Sequence, residues 1–441
     1  MTQNEISYGR ILHLAIPVII SQLGQITVSL VDIIMIGQLG TIELAAAAFV
    51  NNIFNLAIFF GTGVTFIITP LIGEAIGKQS KKTPSIFKNA MVVTLIIGLL
   101  ITGILLLLSL FFTNMGQDPA LVGMAKQYFL LLIISYLPLM LFNGFKQFAE
   151  GTGDTKTGMI IIVVGNMVNI IGNYLFIFGK LGAPELALNG AAIGTIMSRF
   201  FMLFAFVWFF AIKKKYAFYL TGYKTATTNI KDIINIAKKG TLLGVQMLIE
   251  ASAFGLAGIM IGWMGAPGLA AHQIAISLSS LGFMVYQGMG AATTILVSQS
   301  YGAGSKTLMK IQTKRAAILM IPLSLATGLF FFLLRDYLPM IFTTDVEVKQ
   351  ITSMLLIVLA LFQLPDALQI IYASAVRAMA DVKIPLIYLI ISYFAISLPV
   401  GYMLAFEFNY NQVGMWLSFP IGVSLAYIFL RFRFNRLLRF I

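Results

Sequence analysis

Apolar runs of about 20 residues, the length a helix needs to cross a hydrocarbon core, recur twelve times along this chain between short polar connections. They predict helices over 11–36, 47–72, 89–113, 127–145, 158–179 and 189–212, and again over 240–264, 270–296, 316–334, 350–374, 384–405 and 413–430. The expected fold is therefore an all-α polytopic membrane protein. Only 10% of the residues are charged, against about 25% in soluble domains. Cysteine is absent, which removes any disulfide framework or thiolate metal site. The opening MTQNEISYGR lacks the basic region, short apolar run and cleavage site of a removable leader, so the first span is expected to insert itself.

A formal charge of +13 would point to nucleic acid only if the basic residues shared one polar domain. They are instead sorted by side. Alternate connections, running from Arg10 through the Lys213–Lys239 loop to Arg439 and counting Lys146 and Arg377, hold 24 of the 29 Lys and Arg residues. The opposite side has Lys126, Lys180, Arg335 and Lys349, and Arg199 lies within a span. The positive-inside rule places both termini in the cytoplasm. The charge is thus a topology signal, and the expected location is a plasma (inner) membrane.

The chain also repeats itself. MIGQLGTIELAAAAF from Met35 pairs with MIGWMGAPGLAAHQI from Met260, and IGKQSK at 76–81 with YGAGSK at 301–306, both at an offset of 225. Gly153 to Lys156 pairs with Ala380 to Lys383 at 227. Two six-helix lobes are expected, 1–225 (with an interlobe loop beginning near 213) and 226–441. Six spans is an even number, so the halves enter the membrane in the same sense. An axis along the membrane normal then relates them around a central cavity, as in carriers that bind substrate near the midplane.

Three acids fall well inside spans: Asp32, Glu250 and Asp366. Intramembrane acids are costly and usually mark an ion or proton path. At the repeat offsets their partners are Ala257, Gln25 and Leu139, so the fold itself does not require them. Each has polar company at helical spacing: Gln25 with Asp32, the amide stripe Asn166, Asn169 and Asn173, Gln246 with Glu250, and Gln363, Asp366 and Gln369 around Pro365. His272, Ser280 and Gln287 line another span. Interhelical hydrogen bonding is the plainer role for the amides. Arg199 is the one base expected near an acid, and a pair with Asp32 would make that acid partly structural. No base is expected inside a span of the second half, leaving Glu250 and Asp366 to hold a proton or await a cation.

Two tempting motifs fail. Gly151-Thr152-Gly153-Asp154 matches the GxGD of intramembrane aspartyl proteases, but its acid is expected in a connection, where the turn recurs as Asp381. GAGSKT at 302–307 lacks the glycines of a phosphate loop.

The segments VDIIMIGQLG, LIEASAF, LAAHQIAISLSS and LFQLPDALQIIYASAVRAMAD resemble the multidrug and toxic compound extrusion (MATE) transporters over essentially the whole chain. The combination of Asp32, Glu250 and Asp366 is similar to their NorM branch; the DinF branch lacks the Glu of the seventh span. The resemblance implies a C-terminal cation site at Glu250 and Asp366, which would also be the ligands if the ion is sodium. It implies a proton- or cation-responsive N-terminal site of Asp32, Asn169 and Asn173. Gln25 and Gln287 match cavity positions, with Phe362 and Arg199 as further cavity residues. Phe362 stands where some members have Tyr, and Arg199 departs from the family pattern. The expected function is secondary multidrug efflux, not enzymatic catalysis: amphipathic organic cations leave in exchange for sodium ions or protons, with no cofactor, by a protein acting as a monomer in the bilayer. The resemblance also implies that this plasma membrane is bacterial. The alternatives are a lipid-linked oligosaccharide flippase of related fold, which needs basic groups for a diphosphate, and the intramembrane protease.

Overall fold

The computed structural model describes residues 7–116 and 119–440; the start of the opening segment, through Ile6, lies outside the described residues. Among them, twelve helices are long and apolar enough to cross a membrane, and no strand is present. The first six are α1 (Tyr8–Gly37), α2 (Thr41–Thr65) continuing into α3 (Ile68–Gly77), α4 (Thr83–Ser109), α5 (Pro119–Gly151), α6 (Thr155–Phe178) and α7 (Ala187–Ile212). A short α8 (Lys214–Thr225) leads to α9 (Ile230–Gly262), α10 (Ala266–Gly302), α11 (Lys306–Leu333) and α12 (Val346–Ala378). The eleventh span joins α13 (Lys383–Ile390) to α14 (Leu398–Tyr402) through π-helical turns at Ile391–Ser397 and ends in a second π-helical stretch at Met403–Glu407, and α15 (Asn411–Leu437) is the twelfth.

The span ends carry one correction. Lys146 and Arg377, read from the sequence as connection residues, belong to α5 and α12, which run on to Gly151 and Ala378. Pro365 sits inside an unbroken α12; lacking an N–H, it leaves the Leu361 carbonyl without its helical donor.

Residues pack into two units, Ile20–Gly244 and a second made of Met1–Ile19 with Val245–Ile441. The two division points, after Ile19 and after Gly244, lie 225 residues apart, which is the repeat offset. The first helix of each repeat therefore begins in the unit built mainly from the other repeat. In the second unit the backbone of α1 meets α10 where a Cβ on Gly288 would stand 2.9 Å from the Ile19 nitrogen. Correspondingly, in the first unit a Cβ on Gly244 would stand 2.8 Å from the Phe60 carbonyl oxygen.

Backbone turns repeat too. Positive φ occurs at Gly40 and Gly265, at Gln79 and Gly304, and at Gly153 (+83°) and Ala380 (+52°), each pair related by the sequence offset. Within each unit a buried aromatic and aliphatic core fills the bundle: Phe54, Phe112, Phe129 and Tyr136 in one, Leu355, Leu359, Trp416 and Phe419 in the other. The fifth and sixth spans of each repeat meet through glycine, which lets backbones approach. A Cβ on Gly190 would lie 2.6 Å from the Ile177 nitrogen, and one on Gly414 2.6 Å from the Leu404 carbonyl carbon.

The protease-like acid is a helix cap. Asp154 precedes α6 and accepts from the Thr157 N–H at 3.1 Å and the Thr157 hydroxyl at 2.8 Å. Tyr216 of α8, fully buried, donates its hydroxyl to the same carboxylate at 2.7 Å, and Lys215 stands 3.6 Å away. α8 is thereby pinned to the start of α6. Burial alone would raise the Asp154 carboxyl, but the Tyr216 and Thr157 hydrogen bonds and the Lys215 charge outweigh it and hold the group below its ordinary value. Burial and the same carboxylate push the Tyr216 phenol up.

Two outcomes follow from these turns. A residue with a side chain in the left-handed region is strained by about 1–2 kcal/mol, partly offset by the entropy a glycine loses. Ala380→Gly is therefore expected to raise stability by about 0.5–1 kcal/mol, read as a higher unfolding temperature in detergent. For Asp154, a carboxyl held low in the folded state stabilises above its unfolded value, about 3.9, and that contribution fades as pH falls through the lower folded value. Asp154→Asn should cost about 1–2 kcal/mol at pH 6–8, with the difference from the parent starting to shrink as pH falls below about 4 in a thermal-unfolding series.

Candidate functional site

Two polar clusters lie within spans, one in each unit. In the first, α6 runs beside α1 with its amide stripe facing it. A Cβ on Gly24 would stand 3.0 Å from Asn166 Nδ2, and two turns further along Asn173 Nδ2 donates to Asp32 Oδ1 at 2.5 Å. Asn173 also reaches Asn169 Oδ1 at 3.4 Å, and Asn169 Nδ2 donates to the Thr195 hydroxyl at 3.3 Å. Thr195 itself donates to the Ala191 carbonyl at 3.0 Å. Asn173 thus turns its N–H toward Asp32, the arrangement that suits an acceptor-only carboxylate. Asn173 is 0% exposed and Asn169 3%, so bulk water cannot replace these bonds.

What positions Asn173 is the contact of α6 with α7. A Cβ on Gly172 would stand 2.9 Å from Gly194 Cα, and one on Gly194 would meet the Asn173 amide oxygen and lie 2.9 Å from its backbone nitrogen. One turn beyond Thr195, Arg199 stands within electrostatic reach of Asp32. The direct pair considered from the sequence does not form. The guanidinium Nη1 donates to Ser135 Oγ at 2.7 Å, with its carbon 5.3 Å from the centre of the Phe54 ring.

In the second cluster, Gln246 Nε2 donates to Glu250 Oε1 at 3.2 Å on α9. Asp366 of α12 is 5% exposed and within electrostatic reach of Glu250. Among the described residues no hydrogen bond or ion pair to its carboxylate is present. The buried Tyr393, in the π-helical stretch of the eleventh span, faces both acids electrostatically. The neighbouring Gln363 is occupied elsewhere, accepting from the Tyr286 hydroxyl at 2.7 Å and donating to the Leu359 carbonyl at 3.1 Å. The expectation that no base stands inside a second-half span is corrected here. Arg377, within α12, lies in electrostatic reach of Glu250.

Asp32, Asn169 and Asn173 come together, as do Glu250 and Asp366. Gln25 is exposed on α1 and Gln287 half-buried on α10; among the described residues neither side chain bonds to a cluster. Phe362 is buried in the apolar core of its unit. His272 accepts from the Trp416 indole N–H at 3.1 Å and ties α10 to α15. Sequence reading missed Thr195, Tyr393, Arg377 and a further buried ion pair, Lys146 to Glu150 at 3.5 Å. Signals for them existed. Thr195 and Arg199 are four apart on one helix face, and at the offset of 227 Tyr393 replaces Asn166 and Arg377 replaces Glu150.

The MatE family model matches residues 17–175 and 243–403. The multidrug resistance protein NorM of Photobacterium profundum is 29% identical over 432 residues, covering 96% of this chain and 94% of that protein. NorM of Vibrio cholerae is 28% identical over 436 residues, with 96% and 94% covered. Among solved structures, the Vibrio cholerae MATE transporter VcmN in its bent form superposes with a TM-score of 0.87 at 20% identity, over 99% of this chain and 98% of that one.

A methyl group at position 194 has to displace the Asn173 amide. Gly194→Ala is expected to cost about 1–3 kcal/mol from overpacking, measured by thermal unfolding. It should also weaken the hold on Asp32 more than Gly103→Ala, a position with open space around it, does.

Proposed function

Because this chain belongs to the MatE family and is a NorM-like membrane transporter, we propose that it exports amphipathic organic cations in exchange for sodium ions or protons by alternating access. One observation carries the reading. The C-terminal cluster holds two carboxylates, Glu250 and Asp366, against the single guanidinium of Arg377, and Asp366 is buried with no bonded partner among the described residues. A charge in that position demands compensation, and a monovalent cation from solution supplies it. An organic cation can satisfy the same need, with Tyr393 beside the acids offering an aromatic face. Two ligands that neutralise one carboxylate compete, and competition for one charge is the simplest route to exchange.

The N-terminal cluster contributes a third acid, Asp32, whose charge state is read by Asn173. In this proposal the ion arrives from outside, relieves the C-terminal carboxylates, and displaces the organic cation that had occupied them. The relatives named multidrug resistance proteins support the class of cargo. The protein works as a monomer in a bacterial plasma membrane with both termini in the cytoplasm. A carrier of diphosphate-bearing lipid would instead need an excess of basic groups, and the C-terminal cluster has an excess of acid.

Reconstituted in liposomes, the parent should drive efflux of a fluorescent organic cation under an imposed sodium gradient or an imposed proton gradient. Glu250→Gln should reduce that response at least about tenfold, corresponding to the loss of about 1.4 kcal/mol or more of ion discrimination. A response to neither gradient in the parent would overturn exchange.

A further inference from the structure

The last helix leaves the bilayer with a charge pattern of its own. Val413 is the first apolar position of α15, and counting about 20 residues from it brings the far edge of the hydrocarbon close to Phe432. The stretch at that edge, Arg431 to Phe440, reads RFRFNRLLRF. It holds four of the nine arginines in the chain, three phenylalanines and no lysine, and no Asp or Glu occurs after Glu407. Other connections on the same side rely mainly on lysine, as in Lys78, Lys81 and Lys82 or Lys213 to Lys215. A topology signal needs only Lys or Arg. It explains neither the choice of arginine nor its interleaving with phenylalanine.

The stretch has two faces. Phe434 and Leu438 are buried and pack in one cluster with Val376 and Met379. Arg433 belongs to the docked side: its Nε donates to Asp381 Oδ2 at 2.6 Å, tying α15 to the connection after α12. Arg431 Nη1 donates to the Tyr427 hydroxyl at 2.9 Å. Arg436 and Arg439 are exposed, and among the described residues neither side chain forms an ion pair or hydrogen bond. Phe432 is 63% exposed and Phe440 79%. Ile421, Ile428 and Phe432, all exposed, share one helix face with Arg436 and Arg439 by their spacing. The two arginines therefore stand at the end of an apolar stripe that acyl chains cover. A guanidinium fork matches phosphate oxygens in pairs, where an ammonium acts as a point charge. Exposed phenyl rings beside basic groups suit the boundary between headgroups and acyl chains.

We infer that Arg436 and Arg439, flanked by Phe432 and Phe440, form a binding site for the phosphodiester headgroup of an anionic phospholipid. The arginines clamp the phosphate oxygens, and the rings enter the acyl boundary next to them. A zwitterionic lipid brings the same phosphate with a cation attached, which the arginine pair repels. The inference rests on the membrane placement of α15 and not on the exchange reading.

The test uses the full chain in nanodiscs of equal parts phosphatidylglycerol and phosphatidylcholine. Cysteine is absent, so Asn435→Cys, at an exposed position beside Arg436, gives one site for a fluorophore. Two preparations differ only in which lipid carries brominated acyl chains, and quenching reports which lipid stands nearest the label. Brominated phosphatidylglycerol is expected to quench at least about twofold more strongly than brominated phosphatidylcholine. Adding Arg436→Gln and Arg439→Gln should equalise the two, and Arg436→Lys with Arg439→Lys should keep only part of the preference. No preference in the parent overturns the inference, as does one that survives the Gln pair. A preference kept in full by the Lys pair overturns the guanidinium clamp. Should the Gln pair fail to fold, the native charges decide. The same label at Thr221→Cys, exposed near the lysines of α8, is expected to show a smaller preference than at Asn435→Cys. An equal preference there overturns the inference, because the label then reads only the general positive charge of that side.

Discussion

Hydrocarbon offers a buried carboxylate no solvation, so each acid inside this bundle must find its compensation within the protein or take it from solution. Three solutions appear in one chain. Glu150 has Lys146 at 3.5 Å on the same helix. Asp32 has a bonded amide and a guanidinium nearby but not touching. Asp366 has no bonded partner among the described residues, and the arginine of its cluster lies in electrostatic reach of Glu250. That sequence of decreasing compensation is also a sequence of increasing capacity to respond to an added cation. A fully paired acid gains little from a further positive charge, and an uncompensated one gains most.

The repeat makes the comparison sharper, because equivalent positions have been filled with opposite chemistry. Arg377 occupies the place of Glu150, so one half sets a base where the other sets an acid. Tyr393 occupies the place of Asn166. The fifth span of the first half is a regular α-helix over Thr155–Phe178 that carries three asparagines. Its counterpart opens into π turns, a departure frequently found at functional positions. Shared turns, shared glycine contacts and a shared division point inside the first helix hold the scaffold constant. Against that background, the differences between halves isolate what each cluster is asked to do.

Much of this was legible in the sequence, for identifiable reasons. Apolar length reports spans directly, since the membrane sets one dimension for all of them. The offset of 225 was visible in loop glycines and lysines and reappears in the backbone at Gly40 and Gly265. The amide stripe on α6 was legible because helical spacing alone puts Asn166, Asn169 and Asn173 on one face. Span ends were less accessible. Lys146 and Arg377 look like connection residues by charge, and only a partner on the protein side, Glu150 or Glu250, explains their place in a helix. Which residue bonds to which was less accessible still. Whether Arg199 pairs with Asp32 depends on Ser135, from another helix, competing for the guanidinium, and no periodicity encodes that competition.

Exchange requires more than a site that binds. To move a carrier from mostly one state to mostly the other, a ligand must prefer the second state by about 5 kcal/mol, and tight binding that is equal in both states moves nothing. A cluster already neutral offers an arriving monovalent cation only a small difference between states, because the added charge must displace one that is already present. A cluster with an excess carboxylate offers a large one, since any rearrangement that changes the distance between the ion and that carboxylate changes its energy in a medium of low dielectric. On the proposed reading, the free energy of exchange therefore has to be drawn from Glu250 and Asp366.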